Sequence, residues 1–387
     1  MSDTTLTSAD VDRLLGPDYL GKSTPKLGFG LMRLPKDAEG AIDVAQTSDM
    51  VDAFLDAGFT YFDTAFAYTG SEEAARAALV ERHPRDSFTL ATKLFALVSP
   101  TPEAARAQFE MSLERSGAGY FDYYLLHNLG GPRTQRYEDW GLWDFARDLR
   151  ERGLIRHLGF SMHSDADELD AVLTAHPEAE FVQLQINYAD WESPTVQSRR
   201  VWETAMRHGK PVVIMEPVKG GLLANPPAPV AAPLRAVDPD ASPASWALRF
   251  SASLPGVVTV LSGMSDMAQM RDNLATFCDF RPLGERERAA VRRAQEAMDE
   301  LDQIPCTNCR YCTKVCPTGI PIPSVFDACN SLTVYGDREF SRKDYEFATR
   351  DAGAKASDCV GCGSCEAACP QGLPIIELLE RAAATFE

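Results

Sequence analysis

The stretch TYFDTAFAYTGSEEAARAALVERHPRDSFTLATKL (60–94) contains the unit that decides the fold. Its two ends, 60–65 and 88–94, are rich in β-branched and aromatic residues and therefore predict strands. The segment between them has the amphipathic pattern that is typical of a helix. A strand, a helix and a second strand in this order form a unit in which the two strands lie parallel.

The same alternation extends from about residue 25 to residue 280. Eight strands are predicted, at 27–32, 60–65, 88–94, 121–128, 155–162, 181–188, 211–218 and 257–264. Eight strand–helix units favour an α/β fold that closes into a (β/α)8 TIM barrel. A doubly wound open sheet is the alternative, and it is disfavoured because no GxGxxG turn follows an early strand.

Three local patterns in and after this region give specific predictions. Ser48 is predicted to cap a helix that ends at Gly58. The proline-rich stretch NPPAPVAAP (225–233) is predicted to be a loop on the face where the strands end. The charged stretch 284–302 is predicted to be a helix that leads out of the barrel.

The composition restricts the classes of function. The chain has 387 residues, of which 24% are charged, and a formal net charge of −18 at pH 7. This charge argues against nucleic acid or an anionic membrane surface as a partner, and it would suit a basic electron-transfer protein. Residues 1–15 lack a signal-peptide core, and no apolar stretch reaches membrane-spanning length. We therefore expect a cytoplasmic protein whose partners are a small-molecule substrate and a redox partner protein.

Nine of the ten cysteines lie between Cys306 and Cys369. Because the cytoplasm keeps thiols reduced, a cluster of cysteines there indicates metal ligands rather than disulfides. Two runs share the pattern C-x2-C-x2-C-x3-C-P. Their cysteines are Cys306, Cys309, Cys312 and Cys316 in the first run, and Cys359, Cys362, Cys365 and Cys369 in the second. Cys278 and Cys329 lie outside the runs and are predicted to be buried apolar residues.

The spacing within each run predicts how the thiolates are shared. Three cysteines at this spacing wrap around one [4Fe–4S] cubane, while the fourth reaches the other cluster. One cluster is therefore predicted to take Cys306, Cys309, Cys312 and Cys369, and the other Cys359, Cys362, Cys365 and Cys316. A pair of zinc knuckles is the alternative, and it is disfavoured because such sites use two CxxC pairs per metal.

Together the two runs resemble those of bacterial-type dicluster ferredoxins. The sequence departs from that family in the 42 residues between Cys316 and Cys359, where the stretch 324–353 has a partly helical pattern. We therefore predict a smaller, mostly helical ferredoxin-like iron–sulfur domain. The predicted division is an N-terminal extension (1–24), a barrel with its C-terminal helix (25–302) and the dicluster domain (303–387).

Four polar side chains lie at the ends of successive predicted strands, where barrel enzymes hold their catalytic groups. Asp63 and Tyr68 follow the second strand, Lys93 closes the third and His127 closes the fourth. Each has an ordinary structural explanation when taken alone. Together they resemble the catalytic tetrad of the aldo-keto reductase family, including its five-residue spacing from Asp to Tyr. The resemblance covers roughly residues 25–280.

The tetrad can be interpreted from its chemistry. A tyrosine with a pKa near ~10 is a poor proton donor at neutral pH, so the ammonium of Lys93 is expected to lower the pKa of Tyr68. Asp63 would hold Lys93 in place, and His127 would hydrogen-bond the substrate carbonyl. The resemblance implies hydride transfer from NAD(P)H.

The catalytic tetrad of that family is intact here, but several of the residues that bind its cofactor are replaced. Met162 follows Ser161 where the family has an Asn, Met215 replaces a stacking aromatic residue, and Gln269 replaces an arginine that meets the 2′-phosphate. The candidate cofactor residues are Gly30, Met32, Ser161, Gln185, Met215, Gly220, Gly221, Ser262, Gly263, Gln269 and Asn273. We therefore expect weak NADPH binding with little preference over NADH, and a flavin is the alternative cofactor.

The two kinds of centre differ in the number of electrons that they handle. Hydride transfer moves two electrons, whereas an iron–sulfur cluster exchanges one. We expect an oxidoreductase that reduces a carbonyl or related unsaturated small molecule, with two [4Fe–4S] clusters relaying electrons. The alternatives are an NAD(P)H-dependent carbonyl reductase with structural clusters, and a non-catalytic electron-transfer or redox-sensing subunit.

Overall fold

The computed structural model describes residues 6–387. They form two compact units, one comprising the chain up to Gly220 together with Ala244–Glu285, and the other comprising Gly221–Pro243 with Arg286–Glu387. Most of the predicted N-terminal extension is described, and it contains a helix capped by the Thr7 side chain. Residues 1–5 of that extension lie outside the described residues.

The first unit is a closed barrel of eight parallel strands in sequential order, as predicted from the strand–helix pattern. The strands are β1 (Leu27–Gly30), β2 (Tyr61–Asp63), β3 (Thr89–Leu94), β4 (Phe121–Leu129), β5 (Ile155–Met162), β6 (Phe181–Gln185), β7 (Val212–Met215) and β8 (Val257–Ser262). The register closes where Gly28 of β1 lies between Tyr61 of β2 and Leu261 of β8. Several strands end earlier than predicted, because their last residues turn into the loops that form the site.

One helix precedes the barrel, the next ones lie between successive strands, and another follows the last strand. They are α1 (Ser8–Leu15), α2 (Val44–Asp56), α3 (Ser71–Ala75), α4 (Pro102–Ser116), α5 (Pro132–Asp139), α6 (Leu142–Glu151), α7 (Ala166–Ala175), α8 (Ser198–Arg207), α9 (Ala228–Arg235), α10 (Pro243–Ala252) and α11 (Met267–Cys278). Short 3-10 turns occur at Leu31–Arg33, Arg85–Ser87, Ala96–Val98 and Lys219–Ala224, and α3 continues into a π-turn at Arg76–Val80.

The predicted cap of α2 is wrong. The helix begins one turn earlier than expected, and the Asp43 side chain accepts a hydrogen bond of 2.9 Å from the backbone N–H of Gln46. Ser48 lies inside the helix and donates to the Val44 carbonyl. Asp43 is an equally good cap, and the earlier start brings Thr47 into the buried face of the helix.

The proline-rich stretch is not a loop, since most of it forms α9. Pro227 and Pro229 lie at the start of the helix, where the missing N–H of proline costs no hydrogen bond. Val230 and Leu234 are buried one turn apart. Burial of this apolar face therefore outweighs the unfavourable Pro233 in the helix interior.

The interior of the barrel is divided along its axis. At the end where the strands begin, it is filled by apolar and aromatic side chains, including Tyr61, Tyr123, Phe181 and Val258. The rings of Tyr61 and Tyr123 lie 5.1 Å apart. The charged side chains in the interior lie near the ends of the strands, so the site rests on a rigid apolar floor.

The second unit is mostly helical, as predicted. Besides α9 it contains α12 (Glu285–Asp299), α13 (Tyr311–Val315), α14 (Ile322–Tyr335), α15 (Arg338–Ala352), α16 (Ser364–Ala368) and α17 (Ile375–Phe386), with a 3-10 turn at Ala356–Asp358. A core that includes Ile320, Phe326 and Leu379 joins α14 and α17. None of the described helices combines the length and apolar character needed to cross a membrane.

The two cysteines outside the runs differ from the prediction that both are buried. Cys278 is exposed at the last residue of α11, and Cys329 is half-buried against the core of the second unit. None of the ten cysteines, all of which lie in the described part of the chain, forms a disulfide.

Candidate functional site

A buried ion pair lies between two adjacent strands of the barrel. Asp63 is the last residue of β2, and Lys93 is the penultimate residue of β3. The Lys93 Nζ donates to Asp63 Oδ1 at 2.5 Å and to the Thr64 carbonyl at 2.7 Å. Burial lowers the pKa of Lys93, while the charge of Asp63 opposes this effect. Because Asp63 carries the opposite charge, the buried ammonium of Lys93 is not left without an ionic partner.

Tyr68 and His127 complete the predicted tetrad around this pair. The edge of one ring faces the other, with centroids 5.8 Å apart and planes at 86°. The Lys93 Nζ lies 5.0 Å from the centroid of the Tyr68 ring. Within residues 6–387 the buried His127 Nδ1 has no hydrogen-bond partner. The structure thus brings all four residues to one end of the barrel, as their strand-end positions predicted.

The pKa of Tyr68 departs from the sequence-based expectation. Burial raises this pKa above its usual value, the charges of Asp63 and Glu216 raise it further, and Arg33 opposes them. The expectation that Lys93 lowers the pKa is not met, because the effect of burial dominates and the charge of Asp63 adds to it. In the free protein, Tyr68 therefore keeps its proton at neutral pH.

His127 is held in its neutral form. Burial lowers its pKa well below the usual value, and the nearby charges of Lys93 and His163 act in the same direction. A neutral imidazole has one donor and one acceptor nitrogen. His127 can therefore donate a hydrogen bond to a substrate oxygen without bringing a charge into the pocket.

These two pKa shifts predict a flat pH profile. Tyr68 is protonated until well above its ordinary pKa of about 10, and His127 is neutral until well below its ordinary pKa of about 6.5. Neither group titrates between about pH 7 and pH 9, so kcat/KM for carbonyl reduction should be constant there. A pH series with any carbonyl compound that is turned over would check this. A basic limb centred near pH ~8 would show that the pKa of Tyr68 is lowered instead.

An ion pair that was not predicted from the sequence lies beside Tyr68. Glu216 directly follows β7, and its Oε1 lies 3.9 Å from an Arg33 side-chain nitrogen. The backbone of Glu216 is left-handed, with φ of 55°, and its carbonyl accepts from the Asn187 side chain at 3.1 Å. Glu216 lies next to the end of a strand, as the tetrad residues do, so the same positional rule could have found it.

The two candidate residues at the end of β5 are both buried and differ in polarity. The Ser161 hydroxyl oxygen accepts from the Asn128 backbone N–H at 2.8 Å and keeps its own proton to donate. Met162 is buried in the core cluster of the barrel unit. Its side chain therefore offers no polar contact to a cofactor.

A polar network follows β6. The Gln185 amide donates to Asp190 Oδ2 at 3.1 Å, and Gln185 also hydrogen-bonds His163. Asp190 is buried and accepts from Lys219 Nζ at 2.5 Å through its other oxygen. Both ends of the Gln185 carboxamide are thus engaged within the protein. Lys219 likewise has an anionic partner.

The remaining candidates divide into backbone positions and side chains. Gly220 and Gly221 have φ of 65° and 104°, a conformation that suits glycine. Asn273 is buried and donates to the Ser262 hydroxyl at 2.6 Å, so its amide supports the end of β8. Gln269 is exposed and donates to Asp266 Oδ2 at 3.1 Å. The other positions are Gly30 at the end of β1, exposed Met32, half-buried Met215 at the end of β7 and exposed Gly263 after β8.

These residues fit a nicotinamide nucleotide with fewer polar contacts than the resemblance implies. Ser161 can donate to a carboxamide, and Met215 offers an apolar face at the end of β7. Met162 has no side-chain amide to contact the nucleotide, and Gln269 has no positive charge to contact a 2′-phosphate.

The two cysteine runs fold alike. Each forms a loop followed by a one-turn helix, α13 in the first run and α16 in the second, and these helices pack against each other. Equivalent positions have left-handed backbones: Asn308 corresponds to Gly361, with φ of 50° and 64°, and Arg310 corresponds to Gly363, with φ of 59° and 74°. The packing brings the two runs together.

The cysteines form groups that combine thiols from both runs. One cavity is lined by Cys306, Cys309 and Cys312 of the first run and by Cys369 of the second. In the other group, hydrogen bonds from Ser364 lower the pKa of Cys362, and the neighbouring Cys316 opposes this. Four thiolates around one cavity are the donor set that a [4Fe–4S] cluster requires, so these residues fit such a cluster.

The Cys316 thiol lies in a setting that favours its thiolate. Burial raises its pKa, but hydrogen bonds from the Thr318 hydroxyl and the backbone N–H groups of Ile320, Thr318 and Gly319 outweigh burial and lower the pKa overall. The distance from Cys316 Sγ to the Thr318 hydroxyl oxygen is 3.4 Å. Burial instead raises the pKa of Cys306, Cys312 and Cys365, so a lowered pKa is not common to all the cysteines of the two runs.

Comparison with known families agrees with this geometry. Residues 26–296 match the family described as the aldo/keto reductase family. The chain belongs to this family. Residues 305–373 match a 4Fe-4S dicluster domain. The protein is therefore an oxidoreductase of the aldo-keto reductase type with a C-terminal iron–sulfur domain, as the two resemblances implied.

Individual relatives agree with the family. An aldo-keto reductase of Mycolicibacterium vanbaalenii is 29% identical over 280 residues, which cover 72% of this chain and 88% of that protein. An aldo-keto reductase of Mycobacterium sp. (strain KMS) is 36% identical over 141 residues, which cover 36% of this chain and 47% of that protein. The chain thus spans about half the length of this second relative.

Solved structures show the same barrel. An aldo-keto reductase from Klebsiella pneumoniae in complex with NADPH has a TM-score of 0.57 at 23% identity and covers 70% of this chain and 90% of its own. The holo form of an aldo-keto reductase from Bacillus halodurans has a TM-score of 0.56 at 24% identity and covers 72% and 96%. At these identities the likeness concerns the fold alone.

Proposed function

We propose that this aldo-keto reductase reduces a carbonyl or related unsaturated small molecule in its barrel, and that two [4Fe–4S] clusters in residues 303–387 relay the electrons. The observation that carries the proposal is the convergence of Tyr68 and His127 on the buried Lys93–Asp63 pair. Polar groups gathered at the strand ends of a barrel are the usual basis of catalysis in this fold.

Each tetrad residue has a task in this proposal. Tyr68 holds its proton at neutral pH and donates it to the carbonyl oxygen as negative charge develops there. His127 donates a hydrogen bond to the same oxygen. The ammonium of Lys93 stabilises the phenolate that Tyr68 becomes, and Asp63 fixes the position of that ammonium.

Ser161, Met215 and Gly220 would hold the nucleotide cofactor. The Klebsiella relative is solved with NADPH, and this supports a nicotinamide nucleotide here. When bound, a nicotinamide would supply hydride, whereas the clusters would exchange single electrons, so their coupling requires a bound flavin, which exchanges electrons both singly and in pairs. Ser161 would orient the ring through its hydroxyl, and Met215 would pack against the ring face and exclude water.

The exposure of two cysteines favours electron relay over purely structural clusters. Cys309 of the first run and Cys362 of the second are both exposed. A ligand at the surface brings the edge of a cluster within reach of an external electron carrier. Structural clusters have no need of such an edge.

A single-turnover experiment tests the proposal. Protein prepared without oxygen and with its bound flavin retained is reduced with dithionite, desalted and mixed with a panel of aldehydes and ketones. Two one-electron clusters hold the two electrons of one carbonyl reduction, so we expect up to one alcohol per chain and recovery of the visible cluster absorbance. Clusters that stay reduced while NADPH alone drives the reaction would make them structural and overturn the relay.

The cofactor preference gives a separate prediction. Replacing exposed Gln269 with arginine should tighten NADPH binding by about tenfold and leave NADH binding nearly unchanged, because a charge-assisted contact to the 2′-phosphate is gained. Equilibrium titration with both nucleotides measures the effect. Gln269→Met is the matched control, since it has similar length but no charge.

The wild-type protein should bind NADPH weakly and with little preference over NADH. Tight, selective NADPH binding by the wild type would show that another cation, such as Arg271, contacts the phosphate. Gln269→Arg would then add little.

A further inference from the structure

The loop around the first cysteine run has a local charge opposite to that of the chain. Residues 303–320 contain two cationic side chains, Arg310 and Lys314, and no acidic residue, whereas the whole chain carries −18. Both cations are exposed. Among residues 6–387, neither lies within 4.0 Å of a carboxylate; Lys314 Nζ instead lies 5.9 Å from the centre of the Tyr311 ring. Their charges are therefore available to an external partner.

Exposed apolar side chains lie between and beside these cations. Tyr311 is 53% exposed and Val315 is 44% exposed, on the short helix α13 that Arg310 precedes. Cys309, next to Arg310, is exposed as well. An apolar centre with an aromatic residue and a cationic rim is typical of interfaces between proteins. We call Arg310, Tyr311, Lys314 and Val315 the α13 surface.

The backbone of Arg310 supports a role for its side chain. Arg310 has a left-handed conformation, with φ of 59°, and the equivalent position of the second run is Gly363, with φ of 74°. Glycine adopts this conformation without strain, whereas a residue with a Cβ does not. The first run thus has a strained arginine where its repeat has an unstrained glycine.

The second run lacks this cationic character. Val360 is 66% exposed there, but the equivalent stretch, 356–373, contains the acidic residues Asp358 and Glu366 and no Lys or Arg. Lys355, which precedes this stretch, is paired with Glu387 at 2.8 Å. An acidic partner would be repelled at this run and attracted at the first.

We propose that the α13 surface docks a small acidic protein that carries single electrons. This inference rests on the proposed function, because it assigns the entry point of the electrons that the clusters relay. In each encounter the carrier would lose one electron, and the cluster that Cys306, Cys309, Cys312 and Cys369 would hold would gain it. Attraction between Arg310, Lys314 and the acidic carrier steers the encounter. The local charge thus favours an acidic carrier, whereas the net charge alone suggested a basic one.

The test measures the rate at which a reduced acidic ferredoxin reduces the clusters. The two proteins are mixed without oxygen in a stopped-flow instrument over a range of salt concentrations. We expect the wild-type rate to fall with salt, and the Arg310→Glu/Lys314→Glu variant to be slower by at least about tenfold at low salt. Arg342→Glu/Lys343→Glu makes the same change in net charge on α15 and should retain most of the wild-type rate.

Two measurements guard against a folding defect in the variant. Its iron content and its extent of reduction by dithionite should equal those of the wild type. The single variant Lys314→Glu changes only an exposed helical side chain, and it should show an intermediate rate with a weaker dependence on salt.

Several results would overturn the inference. Equal rates and equal salt dependence in the wild type and the Arg310/Lys314 variant would do so, as would an equal loss in the α15 control. Self-association of the chain that this variant abolishes, without any change in carrier kinetics, would assign the surface to a second copy. The proposed function fails by a different result, namely that reduced clusters do not drive carbonyl reduction.

Discussion

Replacing Tyr68 with phenylalanine is expected to lower the turnover of carbonyl reduction by about 10²–10⁴-fold, since general acid catalysis contributes about that much. The substitution removes one hydroxyl and keeps the ring that faces His127. Iron content and thermal unfolding should therefore stay close to those of the wild type. Steady-state kinetics and iron analysis on the same preparation would measure both parts of this expectation.

Tyr61→Phe is the matched control. Tyr61 lies on the same strand as Asp63 and in the same barrel interior, but its buried hydroxyl has no hydrogen-bond partner within the described residues. Removing such a group costs little stability. Its kcat should remain near the wild-type value. If Tyr68→Phe kept full turnover on a carbonyl substrate, the barrel would use another proton donor, and our assignment of the tetrad would be wrong.

The fold could be predicted because the strand pattern repeats eight times. Each unit alone is ambiguous, but eight units favour a closed barrel, and all eight strands are found. The details that could not be predicted depend on burial, which the linear sequence does not state. In α9, the prolines predict a loop, yet the apolar side chains of Val230 and Leu234 become buried and the segment is helical.

In the candidate site, too, the positions of the residues could be predicted from the sequence, whereas the effects of burial could not. The strand-end rule identifies the positions of Asp63, Tyr68, Lys93 and His127 without any knowledge of packing. It does not give their electrostatics: the sequence suggests that Lys93 lowers the pKa of Tyr68, whereas burial and Glu216 raise it. Glu216 acts from β7, five strands away in the chain, and only the closure of the barrel brings it near Tyr68.

Pairs of serine substitutions are expected to show how the two cysteine runs share their clusters. The wild type should contain about eight iron atoms per chain. Cys316 and Cys359 are predicted to bind the same cluster, so Cys316→Ser/Cys359→Ser should retain about four. Cys306 and Cys316 are predicted to bind different clusters, so Cys306→Ser/Cys316→Ser should lose nearly all the iron. Cys329→Ser is the control, because Cys329 lies outside both runs, and it should retain the full complement.

This design separates the crossed arrangement from one in which each run binds its own cluster. If the clusters were held within the runs, Cys306 and Cys316 would share a cluster while Cys316 and Cys359 would not, so the iron contents of the two double variants would be reversed. The cavity that joins Cys369 to Cys306, Cys309 and Cys312 supports the crossed arrangement. Anaerobic reconstitution followed by iron and sulfide analysis would decide between the two, and zinc in place of iron would contradict both.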